Sequence, residues 1–400
     1  MAWTVLDLFS GGGGMSFGFH AHRAFDVVGA VDAENGKPSS PRGSLGCNDT
    51  YALNMGLRPM ALDLSTVDPS DIARVTRATL GFQPLDVLSA CPPCTGFSRA
   101  NPKNHVEDDA RNGLVARTAL WIAALRPRVV VMENARELLS GRFAHHHATL
   151  LEAISDDYTV HSAVHMLSDF GLPQKRERAL IIAVRRPLEL RTLEDLWAGH
   201  VLDPAARTVA HAIGHLPPVE AGVAHPADRF HVAPAMTPPI LQRLRAIPHS
   251  GGSWRDLIDQ PNAAELLTPA MKRSAAAGKL GSHPDVYGRM AWDRPAATIK
   301  RECGHVGNGR YAHPEQDRLC TVRELGLLNG FPGDYQFGGN SLSNMYRHIG
   351  DAVPPLISHQ LACVADWILT GERPPLRRCI LPNTSLRPSD LRPVPATSAD

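Results

Sequence analysis

"TVLDLFSGGGGMSFGF" (residues 4–19) is the stretch that decides the fold. It reads as a buried strand, a glycine loop and the opening of a helix. "TVLDLF" (4–9) is a short apolar run without polar alternation, as expected of a strand covered on both faces of a parallel sheet. Glycines at the strand end let the backbone approach a ligand and aim helix N-terminal N–H groups at it. Two common phosphate loops fail on spacing. No lysine follows the glycines as a P-loop requires. The dinucleotide fingerprint needs a glycine where Ser16 or Phe17 stands. Asp32 closes the next apolar run, "VVGAV" (27–31), where a carboxylate can bond a ribose hydroxyl. A plain strand–helix turn would account for the glycines alone. With Asp32 the pattern suits a nucleoside that has no pyrophosphate, such as S-adenosylmethionine.

The same texture continues in "LDVLSA" (85–90), "VVVM" (129–132) and "ALIIAV" (179–184). Between them, "NGLVARTALWIAALR" (112–126) places Leu114, Trp121, Ile122 and Leu125 on one helical stripe. Strands alternating with helices predict an α/β, doubly wound, mostly parallel Rossmann-like sheet. After Arg186 the chain turns rich in Pro, His and Gly, with no sustained strand run until "WDRPAATI". The expected division is a nucleoside-binding domain over 1–186, a smaller irregular domain over 187–339, a returning segment over 340–371 and a disordered Pro/Arg-rich tail over 372–400.

Composition sets limits. The chain has 400 residues, 43% hydrophobic and 20% charged, with a net charge of +1, so it is not broadly polybasic. No apolar run approaches the ~20 residues of a membrane span, and no basic region precedes the first apolar run. These features point to the cytoplasm and away from membranes. Seven scattered cysteines do not read as a disulfide framework.

Cys91 and Cys94 lie close together in "DVLSACPPCTGFSRAN" (86–101). A structural zinc site would need a second close pair, which the other cysteines do not form. A redox C-x-x-C normally opens a helix, whereas here two prolines stand between the cysteines. A third reading makes one thiol a nucleophile at a strand end, with Pro93 fixing the backbone before Cys94 and Gly96 turning the loop. Glu133 and Asn134 in "VVVMENA", and Arg176 and Arg178 in "PQKRER", flank buried strands and can converge with it on one crevice.

Taken together and in this order, the motifs resemble the cytosine-5 DNA methyltransferase family, over about residues 4–186 and 287–369. "DLFSGGGG" is similar to the family's cofactor loop, "PPCTGFS" to its nucleophile motif, "MENA" to its Glu-Asn motif and "GLPQKRER" to its arginine motif. "RPAATI" and "GDAVPP" match the two late motifs. The resemblance implies S-adenosylmethionine as cofactor, held by Phe9, Gly11, Gly13, Asp32, Asp63, Leu64, Pro93 and Asp351, with no metal. It implies Cys94, Glu133, Arg176 and Arg178 as catalytic residues, and leaves Cys91 as a buried small residue. The substrate would be a cytosine flipped out of double-stranded DNA within a short specific sequence. A short prokaryotic enzyme of a restriction–modification system, or a solitary methylase, is expected to act as a monomer beside a possible cognate endonuclease. A tRNA cytosine-5 methyltransferase and a catalytically impaired DNA-binding regulator are the alternatives.

Several positions depart from the family pattern. Thr95 stands for glutamine, Ala135 for valine and Asp351 for asparagine. For Asp351, a helix cap is the first expectation and a favourable charge near the cofactor the second. "RELGLLNGFP" is also divergent, and "ENGKPSSPRGSLGCND" (34–49) reads as an insertion in which Lys37 and Arg42 could meet DNA. Target recognition is expected within 187–288, with Arg243, Arg245 and Arg255 as candidate base readers. Six Lys or Arg and two acids over 172–191 make a local basic patch suited to phosphates.

Overall fold

The computed structural model describes residues 2–35, 45–81, 83–97, 106–278, 285–339 and 341–394. Lys37 and Arg42 lie outside the described residues, as do the last six residues of the chain. Six strands form the central sheet: β1 (Trp3–Leu8), β2 (Phe25–Val31), β3 (Val87–Ala90), β4 (Val129–Ala135), β5 (Tyr158–Met166) and β6 (Glu177–Arg185), in the order β2-β1-β3-β4-β6-β5. β1 to β4 pair in parallel, and β6 runs antiparallel to both β4 and β5. Neighbours of β1 on its two sides are β2 and β3, which places the switch point of the sheet at the glycine loop.

Five of the six strands correspond to the continuous apolar runs. β5, "YTVHSAVHM", has no such run because most of its side chains, the exposed Val164 among them, are covered only in part.

Each face of the sheet has its own core. On one face Val131, Leu180 and Ile182 pack with the helix Pro355–Thr370. On the other, Val130, Met132 and Ile181 pack with α3 (Pro69–Thr79), α4 (Gly113–Leu125), α5 (Glu137–Ser140) and α6 (His145–Ile154), which follow α2 (Cys47–Met55) in the chain. Leu114, Trp121, Ile122 and Leu125 are all buried on α4, as their stripe predicts. α1 (Gly14–His20) crosses Pro355–Thr370 at Gly18, where an added Cβ would lie 2.2 Å from the His359 amide nitrogen, so only glycine permits the approach. The apolar stretch Leu342–Thr370 is long enough to span a membrane by composition, but 89% of its apolar window is buried inside this fold.

A second core gathers residues from Val209 to Ala352. Its regular elements are short, and buried arginines tie its loops. Arg289, fully buried, donates to the carbonyls of Leu244, Ile247, His313 and Gln316 and to Asp317. Arg318 holds Glu324 through two hydrogen bonds of 2.7 and 2.8 Å, and Glu324 in turn caps the helix Val322–Leu328 with Thr321.

Two expectations need correction. Residues 193–197 pack in the first core and β7 (His200–Leu202) pairs with Leu391–Pro393, so the start of the second unit lies beyond Leu202. The supposed disordered tail is ordered through residue 394. Leu376, Cys379, Leu381, Leu386 and Leu391 are buried against the first core, apolar positions hidden among prolines and arginines in the sequence.

Candidate active site

At the carboxyl ends of β1 to β4 lies a cavity of about 300 Å³, lined by the glycine loop, Asp32, residues 62–65, Cys91 to Thr95, Glu133 and Asp351, among others. This size is that of a small-molecule site. β1 ends at Leu8, and Phe9 follows it with φ of +62°, a left-handed backbone that costs an aromatic residue energy and places it in the cavity wall. The Gly11 N–H donates to Asp32 Oδ2 at 2.8 Å, and the Glu34 N–H to Oδ1 at 2.7 Å. Oδ1 also meets the Cys47 thiol at 3.5 Å, and Oδ2 keeps a further acceptor direction. Asp63, exposed, accepts from Ser65 N at 2.8 Å, while Leu64 beside it is buried.

Gly13 differs from the expectation. It does not line the cavity; Gly12 and Gly14 do. A side chain at Gly13 would meet Tyr335, Met55 and Tyr51 at 3.1–3.2 Å, so its part is to pack the loop. Beneath the loop Asp7, missed in the sequence, is fully buried and accepts from Ser16 Oγ at 2.5 Å and Ser89 Oγ at 2.7 Å. Burial raises its pKa to about 7.

The nucleophile loop is fixed at several points. Cys91 N donates to Leu8 O at 3.3 Å, continuing the ladder, and Asn134 Nδ2 donates to Pro92 O at 3.0 Å. Phe97 N closes a turn on Cys94 O at 3.1 Å. A Cβ on Gly96 would lie 2.1 Å from Asn112 Oδ1, which explains the glycine. Cys91 is not simply packed away: it lines the cavity along with Cys94. Burial pushes the Cys94 thiol up, and the nearby Arg178 charge opposes this.

Antiparallel register brings the charged groups together. Ala135 pairs with Arg178 across β4 and β6, so Glu133 and Arg178 share a sheet face. Arg178 Nε and Glu133 Oε1 are 2.7 Å apart, yet misaligned for a hydrogen bond, which leaves Oε1 a buried acceptor with spare capacity. Arg176 has a different place. It is 2% exposed and donates to the carbonyls of Ile299 and Ala352 at 3.0 Å each, outside the cavity wall. Both its terminal nitrogens are thereby committed to backbone. Gln174 works alongside it, accepting from Ile299 N and donating to Asn329 at 2.8 Å. Asn329 lies in the divergent "LLNGFP".

Asp351 ends the helix Leu342–Asp351 and caps no helix among the described residues. Its carboxylate stands in the cavity wall, 3.4 Å from Arg301 Nη1. Arg301 and Arg111 also line the cavity and were not singled out by any motif, since a lone arginine reads as surface charge. Arg111 is held by Asp109 at 2.6 and 2.8 Å. His348 is engaged at both ring nitrogens, with Thr50 at 2.9 Å and Leu45 O at 2.8 Å. Among the candidate base readers, Arg243 donates to Leu266 O at 2.6 Å and lies over Tyr287, a structural role. Arg255 is exposed and Arg245 stands 3.6 Å from Asp317.

Comparison with known proteins identifies the family. The family model for C-5 cytosine-specific DNA methylase matches residues 3–364. The type II methylase M.HgiDII of Herpetosiphon aurantiacus is 30% identical over 93% of this chain and 97% of its own. The type II methyltransferase M1.HphI of Haemophilus parahaemolyticus is 28% identical over 90% and 86%. A putative DNA modification methyltransferase encoded within an E. coli prophage shares the fold at TM-score 0.59 and 21% identity, covering 93% of this chain and all of that one. A match of that extent places the chain in the C-5 cytosine-specific DNA methylase family: it is an S-adenosylmethionine-dependent enzyme that methylates carbon 5 of cytosine in DNA.

Proposed function

We propose that Cys94 is the nucleophile of this reaction, that Glu133 and Arg178 stabilise the charge it pushes into the base, and that Arg176 positions them. The observation carrying this reading is that Cys94, Glu133 and the glycine loop face one cavity. The cavity also fits the cofactor chemically. Ser10 Oγ, Thr95 Oγ1 and Glu133 Oε1 are buried wall atoms without hydrogen-bond partners, as in a site shaped for a polar ligand. Phe9, Gly11, Asp32, Asp63, Leu64, Pro93 and Asp351 would hold S-adenosylmethionine, which supplies an electrophilic methyl group on a sulfonium.

Carbon 5 of cytosine is a weak nucleophile until the ring gains electrons. Cys94, as thiolate, adds to carbon 6 and forms the covalent adduct, while Glu133 hydrogen-bonds or protonates ring nitrogen 3. Arg178 meets the base carbonyl oxygen as pre-placed positive charge. Carbon 5 then takes the methyl group and loses its proton, and the thiolate leaves. Because burial holds Cys94 protonated in the free enzyme, positive charge brought into the cavity favours its ionisation. The base must leave the duplex to reach the cavity.

The second unit would bind double-stranded DNA and read a short sequence. The names of the type II relatives support a restriction–modification setting. In this reading the enzyme works in the cytoplasm as a monomer, beside a cognate endonuclease. Base-resolution methylation mapping in a methylation-free bacterial host tests the reading. Cytosines marked at one short motif are expected, and Cys94→Ser should mark none while still binding DNA. Marks that persist in Cys94→Ser would remove Cys94 from the mechanism.

A further inference from the structure

Among the described residues, Arg301 is the cavity-lining arginine whose charge has an unsettled partner set. Arg111 is clasped by Asp109 through two hydrogen bonds. Arg301 makes only a 3.4 Å approach from Nη1 to Asp351 Oδ2, and its Nε and Nη2 are buried with no acceptor. Nε and Nη2 are the two parallel donors along one edge of the guanidinium, the edge that matches both oxygens of a carboxylate. Burying such donors unpaired is unfavourable, so this side chain gains by turning that edge toward an anion in the adjoining cavity. Beside it, Asp351 offers the opposite charge. The wall thus presents a cation and an anion side by side. A ligand bearing an ammonium and a carboxylate on one carbon has the complementary pair.

Resting on the cavity reading above, we propose that Arg301 and Asp351 together form the receptor for the α-amino-acid end of the cofactor, Arg301 taking its carboxylate and Asp351 its ammonium. The charges around Asp351 are consistent with a tuned anion. Desolvation in the cavity wall raises its pKa to about 6, Arg301 and Arg176 lower it, Glu302 raises it and Arg347 lowers it. Cys94 and Cys303 also face it, and His348 stands in the same wall with both nitrogens engaged. Ammonium capture requires the ionised carboxylate, so affinity for an amino-acid-bearing nucleoside should rise as pH passes upward through about 6.

Calorimetric titration of the whole protein with S-adenosylhomocysteine and with its decarboxylated analogue tests the carboxylate contact without any turnover. Wild type should bind the decarboxylated compound at least about tenfold more weakly, the worth of a charged hydrogen-bond pair. In Arg301→Met that ratio should fall to near one, because only the S-adenosylhomocysteine affinity is lost. Arg301→Lys, which keeps charge but lacks the fork, should fall between and covers the case in which Arg301→Met fails to fold. Asp351→Asn should flatten the pH dependence while keeping the carboxylate preference. Equal weakening of both ligands in Arg301→Met, or a wild-type ratio near one, would overturn the proposal. Asp32→Asn separates this from failure of the cavity reading: it should weaken both ligands alike, and no effect on either would mean the nucleoside binds elsewhere.

Discussion

The sheet domain and the second unit satisfy their buried backbone in opposite ways. In the first, β-branched runs such as Val129 to Val131 are covered on both faces and the ladder pairs their peptide groups. In the second, loops cross the interior, and guanidinium groups do what a ladder would. Arg289 alone serves four carbonyls, and Arg310 serves those of Gly251, Gly252 and Arg289. The difference teaches where each part is vulnerable. The sheet depends on shape, and the second unit depends on a few charges that cannot be shortened or neutralised singly.

That contrast can be broken most directly at Arg318. Arg318→Met leaves Glu324 charged and buried, which should cost about 3–5 kcal/mol in a denaturant titration. The double variant Arg318→Met/Glu324→Gln should recover part of the loss, since no buried charge then lacks its partner. A single variant with an unchanged midpoint would show that the pair does not hold the loops. In the sheet domain the comparable change is steric. Gly18→Ala forces α1 and the helix Pro355–Thr370 apart and should cost about 1–3 kcal/mol, read as a lowered Tm without salt dependence. The smallest effect concerns the one strongly perturbed acid of the sheet, Asp7. Its folded pKa of about 7 exceeds the usual 3.8, so the folded protein holds a proton that the unfolded chain has lost. Its contribution to stability is full below about pH 4 and declines as pH rises to about 7. Asp7→Asn should make Tm flatter across that window; an identical slope would assign the pH dependence to other groups.

Much of the sheet was legible because burial on both faces writes itself as uninterrupted apolar sequence. The site was legible where a residue type is forced by backbone or chemistry, as with Asp32, Gly96, Cys94 and Glu133. Edge strand β5 escaped because its exposed side admits His and Ser. The segment 372–394 escaped because six buried apolar side chains, including Leu376 and Leu391, are spaced by Pro and Arg. Nothing in "PQKRER" says which of its arginines points to backbone, as Arg176 does. Arg301 and Arg111 could not be found, because their meaning lies in what faces them across the cavity.

The clasp made by Arg176 and Gln174 holds the neighbouring segments chiefly through peptide groups: Ile299 O, Ala352 O and Ile299 N. Peptide groups are common to every sequence. The attachment therefore specifies a chain path and hardly any residue identities, like a socket of standard thread. A foreign segment could replace most of the interior between residues 209 and 288, provided it returns the chain to the same path at Ala296 to Ile299. If the second unit reads DNA as proposed, such a graft would exchange the sequence it reads while leaving the strand ends around the cavity where they are.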